Sequence, residues 1–258
     1  MILGYIILGL YGVALIVIWM YSILQLQLVF NFKKSIRQEK ESEHTPKAWP
    51  KVTVQLPLYN EKYVVERLLD NISKLDYPAD KLEIQVLDDS TDSSKMYTES
   101  LTQLLVKKGI NAKYIHRSQR ENYKAGALKE GLEVAEGEFI AVFDADFLPQ
   151  PDWLKKTIPH FKKENVGVVQ TRWGHVNRTY SLLTKIQAFA LDFHFQIEQV
   201  GRSFGGHFIN FNGTAGVWRK TCIIDAGNWQ GDTLTEDLDL SYRAQLKGWK
   251  FIYLREVI

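Results

Sequence analysis

The sequence predicts an α/β protein: a mostly parallel sheet with helices on both faces, preceded by an N-terminal transmembrane helix. Three observations predict it. Short apolar runs alternate with segments of helical apolar spacing from residue 52 to residue 146, the pattern of consecutive βαβ units. Polar and acidic residues collect where those runs end, at Asn60-Glu61, at Asp88-Asp89, and at Asp144 with Asp146. Open α/β sheets bind ligands beyond the carboxyl ends of their strands. Finally, no charged side chain occurs before Lys33.

The opening run, MILGYIILGLYGVALIVIWMYSILQLQLVFNF, exceeds the roughly 20 apolar residues that carry a helix across a bilayer. It has no basic start, short apolar core or small-residue cleavage site, so it does not read as a signal peptide. Such a length without a polar face also sets it apart from a buried core helix. Lys33, Lys34, Arg37 and Lys40 follow, and cationic flanks stay on the cytoplasmic side. The expected organisation is a membrane anchor over 1–32, a charged linker over 33–50, and a cytoplasmic domain over 51–258.

Within that domain VTVQLPL (52–58) reads as a buried strand and VVERLLDNISKL (64–75) as a helix by its apolar spacing. LEIQVLDD (82–89) is a second strand, followed by a helix from Ser94 to Lys108. NAKYIHR (111–117) is a third strand, followed by a helix over Ala125–Ala135. EFIAVFDAD (138–146) and VGVVQTRW (166–173) are further strands. LLTKIQAFALDFHFQIEQV (182–200) has helical spacing, and FINFNGTAGVWR (208–219) is strand-like with a glycine-rich centre. LTEDLDLSYRAQLKGW (234–249) is a helix opening with acids, with Leu234, Leu238, Tyr242 and Leu246 down one side.

Composition excludes several function classes. With 45% hydrophobic residues the chain supports a packed core, and a net charge of +2, spread along the chain, gives no footprint for nucleic acid. A single cysteine, Cys222, rules out an internal disulfide framework and a multi-cysteine metal site; in VWRKTCII it reads as a small buried hydrophobe. His175, His194 and His207 show no metal-ligand spacing.

The remaining polar clusters carry candidate chemistry. Asp144 and Asp146, two apart on an extended segment, point the same way, and two carboxylates that close repel unless a cation lies between them. They suit a hard divalent cation, which binds through one or two carboxylates plus substrate phosphates. In VLDDSTDSS, Asp92 or Ser93 caps the following helix, whereas Asp88 and Asp89 at the strand end can accept hydrogen bonds from a ligand. Lys124 in RENYKAGALKEG precedes small residues at a helix start, where a cation suits a phosphate or faces solvent. In LTEDLD, Thr235 fits an N-cap with Glu236 and Asp237 complementing the helix dipole; one of these carboxylates fits a general base equally well. The glycines of GHFINFNGTAGVW serve a tight strand pair or a close approach of backbone to ligand. Trp173 and Trp218 suit the core or a sugar ring.

Taken in order, QLPLYNE, VLDDSTD, YKAGAL, FDADF, QTRW, FNGTAGVW and LTEDLDLSYRAQLKGWKFIYL resemble the inverting glycosyltransferases of family 2, in particular the cellulose-synthase-like branch with its glucomannan 4-β-mannosyltransferases and β-glucan synthases. The resemblance runs from Val52 to the end of the chain. It implies a GT-A fold and a transfer of hexose from GDP-mannose or UDP-glucose to a glycan or lipid-linked acceptor. By the same resemblance Asn60, Glu61 and Asp89 hold the base and ribose of the nucleotide-sugar, with Asp88 nearby, and Lys124 contacts its diphosphate. Asp144 and Asp146 become the Mg²⁺ or Mn²⁺ motif. Asn212, Gly213 and Thr214 line the acceptor end with Gln170, Arg172 and Trp173 close by, and Asp237 is the catalytic base, supported by Thr235 and Glu236.

Processive members of that branch carry a Gln-x-x-Arg-Trp motif downstream of the base and further transmembrane helices. Here QTRW (170–173) precedes the base, and the sequence ends at residue 258, 21 residues past Asp237. The expectation is a piece of a longer protein; a short enzyme that adds single sugars is the alternative. Two other readings remain at this point: a phosphotransferase using Asp144 as nucleophile and Asp146 as acid, and a membrane-tethered nucleotide-sugar binding module without catalysis.

Overall fold

The computed structural model describes residues 2–38, 46 and 48–258. They form two compact units, one of the N-terminal segment 2–38 with His175–His207, the other of residues 46–174 with Phe208–Ile258. Residues 175–207, included by the sequence reading in the 51–258 domain, thus cluster with the N-terminal helix.

In the first unit α1 (Ile2–Gln38) is a single helix; by length and composition it can cross a membrane. It runs on through 33–38, expected in the linker; residues 39–45 and 47 of that linker lie outside the described residues. The rest of the unit is one rod of three segments: α6 (Leu182–Asp192), a wide π-helical stretch over Phe193–Glu198, and α7 (Gln199–Phe204). Ser181 starts it with a reciprocal cap, its hydroxyl accepting from Thr184 N while Thr184 Oγ1 accepts from Ser181 N. Gly201 lets α7 approach α1 closely: a Cβ there would fall 2.5 Å from the Leu28 carbonyl oxygen.

The second unit is built on a seven-stranded sheet, β1 (Val52–Leu58), β2 (Leu82–Asp88), β3 (Ala112–His116), β4 (Phe139–Val142), β5 (Val166–Thr171), β6 (Gly216–Arg219) and β7 (Lys250–Leu254), in the order β3-β2-β1-β4-β6-β5-β7. The runs VTVQLPL and LEIQVLD are buried almost throughout, as expected for strands covered on both faces. Strands β3, β2, β1 and β4 are parallel, with Leu58 level with Asp88 and Asp88 level with His116. Their carboxyl ends therefore open on one rim. β6 runs antiparallel between β4 and β5, and β7 pairs parallel with β5, so the sheet is mixed.

Helices α2 (Val65–Ile72), α3 (Ser94–Lys107), α4 (Tyr123–Val134), α5 (Trp153–Thr157), α8 (Lys220–Asp225) and α9 (Glu236–Leu246) complete this unit. α2 buries Val65, Leu68, Leu69 and Ile72, the spacing that predicted it. One core cluster gathers Val54, Leu56, Leu68, Phe143 and Trp153; the other gathers Leu128, Ile140, Val168, Trp218 and Trp229. Trp218 therefore belongs to the core. Cys222 is fully buried, and burial pushes its thiol up to about 12, consistent with an inert packing role.

One sequence expectation needs correction. Of the strand-like stretch 208–219 only β6 is strand. The backbone before it is held by side chains of α9: Ser241 Oγ accepts from Phe211 N at 2.9 Å, and Gln245 accepts from Ile209 N and donates to Ile209 O. That inward face also fixes the helix, because Leu240, Ser241, Ala244 and Gln245 are its buried residues. The apolar line Leu234, Leu238, Tyr242 and Leu246 is consequently exposed, Leu234 completely. The sequence reading also left β7 without an element, since WKFIYL shows no clean alternation.

Candidate active site

The rim of the parallel strands holds an open pocket of about 340 Å³ lined by Tyr59, Glu61, Asp89, Arg120, Lys124, Asp144 and Asp146 among others. Each comes from a strand end or a helix start. β1 delivers Tyr59 and Glu61 through Asn60, whose φ of 58° turns the chain. β2 delivers Asp89, and the chain leaving β4 delivers Asp144 and Asp146. Lys124 stands in the first turn of α4, entered through Asn122 and Tyr123, both at positive φ.

Lys124 is the hub. Its Nζ lies 2.5 Å from Asp144 Oδ1 and donates to the Gly213 carbonyl at 2.9 Å. Thr214, itself buried, accepts from Asp144 N at 2.9 Å. Gly213, at φ +75°, has a backbone conformation that strains any larger residue, and a Cβ there would sit 3.3 Å from Asp237 Oδ2 and 3.5 Å from Lys124 Nζ. The ammonium of Lys124 therefore sits between the acids leaving β4 and the acids opening α9. A second hollow of similar size, lined by Tyr123, Lys124, Asp232, Leu234 and Glu236, adjoins it on the α9 side.

The electrostatics distinguish these acids. Burial raises the carboxyl groups of both Glu236 and Asp237 above their usual range, with Asp144 adding to the rise and Lys124 opposing it. Asp237 Oδ1 accepts from Leu238 N at 2.8 Å, leaving Oδ2 on the Gly213 side. A carboxylate shifted upward by desolvation is a better proton acceptor. Thr235 occupies the N-cap position of α9, but its side chain makes no capping bond; at the start of α3 it is Asp92 that accepts from Ser94 N.

Other expected site residues stand behind the pocket. Asp88 is fully buried, its Oδ1 accepting from Ser90 N and its Oδ2 from the Tyr114 hydroxyl, and it does not line the pocket. Asn60 accepts from Thr91 N through its side chain and donates its own N–H to Ser90 Oγ, tying the β1 and β2 ends together. Gln170, also fully buried, donates to the Thr171, Thr214 and Ala215 carbonyls and accepts from Asn212 N. It braces the 212–215 loop from inside. Arg172 donates to the Arg255 carbonyl, and Trp173 packs edge-on against Phe147; neither lines the pocket.

Sequence reasoning missed two arginines. Arg117 forks onto Asp89, Nε to Oδ1 at 2.7 Å and Nη2 to Oδ2 at 2.5 Å, and also donates to the Glu121 and Tyr123 carbonyls. It thereby fixes the loop that delivers Lys124. Gly126 makes room for it, since a Cβ there would meet Arg117 Nη1 at 2.4 Å. Arg120 lies 3.6 Å over the ring of Tyr59 inside the pocket, a cation–π contact that offers a flat cationic surface. The signal was present: the predicted strand NAKYIHR ends on Arg117 and SQRENYK follows it, so these basic residues fall on the same rim as the acids.

This combination of a mixed sheet, an acid- and lysine-lined rim and a half-buried carboxylate at a helix start belongs to sugar-transferring enzymes of the GT-A type. The pattern of glycosyl transferase family 2 matches residues 53–222, and the chain belongs to that family. It is 48% identical over 214 residues to probable glucomannan 4-beta-mannosyltransferase 7 of Oryza sativa subsp. japonica, covering 81% of this chain and 37% of that protein. It is 44% identical over 230 residues to glucomannan 4-beta-mannosyltransferase 1 of Cyamopsis tetragonoloba, covering 87% and 44%. The chain thus spans about two fifths of the length of these curated relatives. Among solved structures, the mannosyltransferase PcManGT from Pyrobaculum calidifontis, in complex with GDP-Man and Mn2+, superposes with a TM-score of 0.69 at 24% identity over 92% of this chain and 65% of its own. TarS 1-349 of S. aureus in complex with UDP-GlcNAc gives 0.57 at 19% identity over 80% and 56%. The fold is GT-A. Membership of this family removes the phosphotransferase alternative.

Proposed function

We propose that this chain carries the transferase domain of an inverting hexosyltransferase that moves mannose from GDP-mannose to a glycan acceptor with formation of a β-linkage. The observation that carries it is the meeting of Asp89, Lys124, Asp144 and Asp146 in one pocket with Asp237 beside Lys124. The names of the relatives, glucomannan 4-beta-mannosyltransferases, support mannose over glucose.

The residues fit a divalent cation of the Mg²⁺ or Mn²⁺ kind. Among the described residues no group of three or more His, Cys, Asp or Glu forms a complete protein cage. Asp144 and Asp146 nevertheless line one pocket, and a hard cation of this kind needs only one or two carboxylates when phosphate oxygens complete its shell. Bound there by Asp146, with Asp144 alongside, it would supply charge neutralisation for the departing diphosphate. Lys124 supplies a second positive charge to the same diphosphate, and Arg117 holds Lys124 in place. Arg120 and Tyr59 form the wall suited to the base, and Glu61 and Asp89 to the ribose. Asp237 takes the proton from the acceptor hydroxyl as that oxygen attacks the anomeric carbon. The bond to the leaving phosphate breaks in the same displacement, so an α-linked donor yields a β-linked product. Gly213 keeps the space in front of Asp237 open for the acceptor.

The membrane organisation belongs to the same proposal: α1 anchors the protein, residues 33–50 connect it, and the transferase domain lies on the cytoplasmic side. Lys33, Lys34 and Arg37, directly after the apolar run, support that orientation.

Two substitutions test the reaction. Asp237→Asn is expected to keep GDP binding, measured calorimetrically, and to lower mannosyl transfer by about 10²-fold or more; equal turnover would remove Asp237 from the base role. Asp146→Ala is expected to weaken GDP binding in Mn²⁺ and to leave it nearly unchanged in chelator. An equal loss in both conditions would make the acid structural.

A further inference from the structure

We propose that Lys124 is an exchangeable counter-ion: its ammonium holds Asp144 until a divalent cation and a nucleoside diphosphate bind together, and so selects against the cation on its own. The inference rests on the proposed role of Asp144 and Asp146 in holding Mg²⁺ or Mn²⁺. It deepens that reading, because it gives Lys124 a task before any phosphate arrives.

The first observation is the partner that Lys124 already has. Its Nζ lies 2.5 Å from Asp144 Oδ1 and donates to the Gly213 carbonyl at 2.9 Å. The two side chains are 26% and 37% exposed, and an ion pair that water reaches is held weakly enough to exchange. One of the two carboxylates suited to a divalent cation is therefore neutralised by the chain itself. A cation that uses Asp144 as well as Asp146 meets the ammonium on the same carboxylate, where two positive charges repel at close range. Lys124 must then give Asp144 up.

The second observation is that the side chain can leave while its backbone stays. Arg117 donates to the Glu121 and Tyr123 carbonyls and is itself forked onto both oxygens of Asp89. Lys124 follows directly, in the first turn of α4. Movement is thus confined to the four-carbon stem, which carries a compact charge with three rotatable donors.

The third observation is where that charge can go. Lys124 lines the same pocket as Asp144 and Asp146, the place assigned to the diphosphate. Phosphate oxygens offer the ammonium a charge-assisted partner in exchange for Asp144, and they also complete the shell of a hard cation. With the diphosphate present every charge finds a new partner. With the cation alone, Lys124 loses Asp144 and gains nothing. Cation and diphosphate consequently favour each other's binding by the same factor.

The test uses the full chain in lipid nanodiscs and Mn²⁺ without nucleotide, the free ion being counted by its paramagnetic resonance signal. Lys124→Met keeps an unbranched stem and removes the charge. It is expected to bind Mn²⁺ alone about 10-fold more tightly than the parent, within the usual range of coupling between sites, and to bind GDP with Mn²⁺ more weakly. Arg120→Met removes an equal charge from the same pocket, but Arg120 lies over Tyr59 and not on Asp144. Acting only through a field that salt screens, it is expected to change Mn²⁺ affinity by less than about twofold. A further readout needs no substitution. Acetylation of Lys124 in the parent, followed by mass spectrometry, is expected to rise when Mn²⁺ alone fills the site and to fall when GDP joins it. The proposal is overturned by no tightening in Lys124→Met, by equal tightening in Arg120→Met, or by unchanged acetylation with Mn²⁺ bound. In those cases Mn²⁺-dependent GDP binding by the parent still keeps the proposed function. Loss of that dependence in the parent removes the metal role, and this proposal with it.

Discussion

At the scale of single residues, the site works by placing charges where their solvation is poor and their partners are few. Asp89 is almost fully buried yet lines the pocket, and it tolerates this because Arg117 meets both of its oxygens. Asp237 has no such fork. Its environment favours the neutral acid, which suits the proposed role of accepting a proton and then releasing it. The sign of the pH dependence follows. A base is active when ionised, so turnover is lost as pH falls through the raised value of Asp237, and the acid limb of kcat lies above the ordinary carboxylate range of about 4. Stability follows the same group in the opposite sense. A folded-state value above the unfolded one contributes stability below the unfolded value, and that contribution is lost as pH rises through the folded value. Asp237→Asn removes the ionised group, and the amide oxygen can still accept from Leu238 N. We therefore expect this inactive variant to melt at a higher temperature than the parent at pH 7, with the difference closing as the pH is lowered. A lower melting temperature at pH 7 would show that Asp237 is held by favourable partners instead.

At the scale of elements, the same helix shows how far sequence can be read. The start of α9 was legible because acids at a helix N-terminus have a plain electrostatic reason. Its orientation was not. The line Leu234, Leu238, Tyr242 and Leu246 has the spacing of a buried face, but Ser241 and Gln245 turn inward instead because the irregular backbone at Ile209 and Phe211 has donors and acceptors to satisfy. Periodicity counts apolar residues and is blind to that demand. Gln245→Leu conserves much of the volume but leaves Ile209 N and O without their side-chain partners. In urea it is expected to destabilise the domain by about 1–3 kcal/mol, the usual cost of a buried group left unsatisfied. Leu246→Gln, on the exposed line, is expected to stay within about 0.5 kcal/mol. If the two costs were reversed, the helix would be rotated to the face that the sequence pattern suggests. Similar blindness explains Gln170, Arg172 and Trp173. The resemblance placed them near the loop 212–215; Gln170 does bond that loop from inside, whereas Arg172 donates to the Arg255 carbonyl and Trp173 packs on Phe147, and none of the three lines the pocket.

At the scale of the whole molecule, the parallel half of the sheet was readable because strands buried on both faces are continuous apolar runs. β6 was read as part of a longer strand-like stretch, 208–219, but its antiparallel pairing and the edge strand β7 were not legible, since their partners lie far away in sequence and register is set by those partners. The long apolar helix was plain from composition, but its packing against α7 and the π-helical stretch, including the close approach at Gly201, is announced by no local pattern. That arrangement decides how membrane attachment is best tested. Deleting all of 1–32 would remove Leu28 and Asn31, and with them the support of α7. Deleting residues 2–24 instead spares both and leaves an apolar remnant over 25–32, far below the roughly 20 residues needed to span a bilayer. The full chain is expected to stay with membranes washed in alkaline carbonate, which strips peripheral proteins, and the shortened chain to be extracted. If the shortened chain resisted carbonate, α1 would not be the spanning element. If the full chain were itself extracted, α1 would lie on the membrane surface and not cross it.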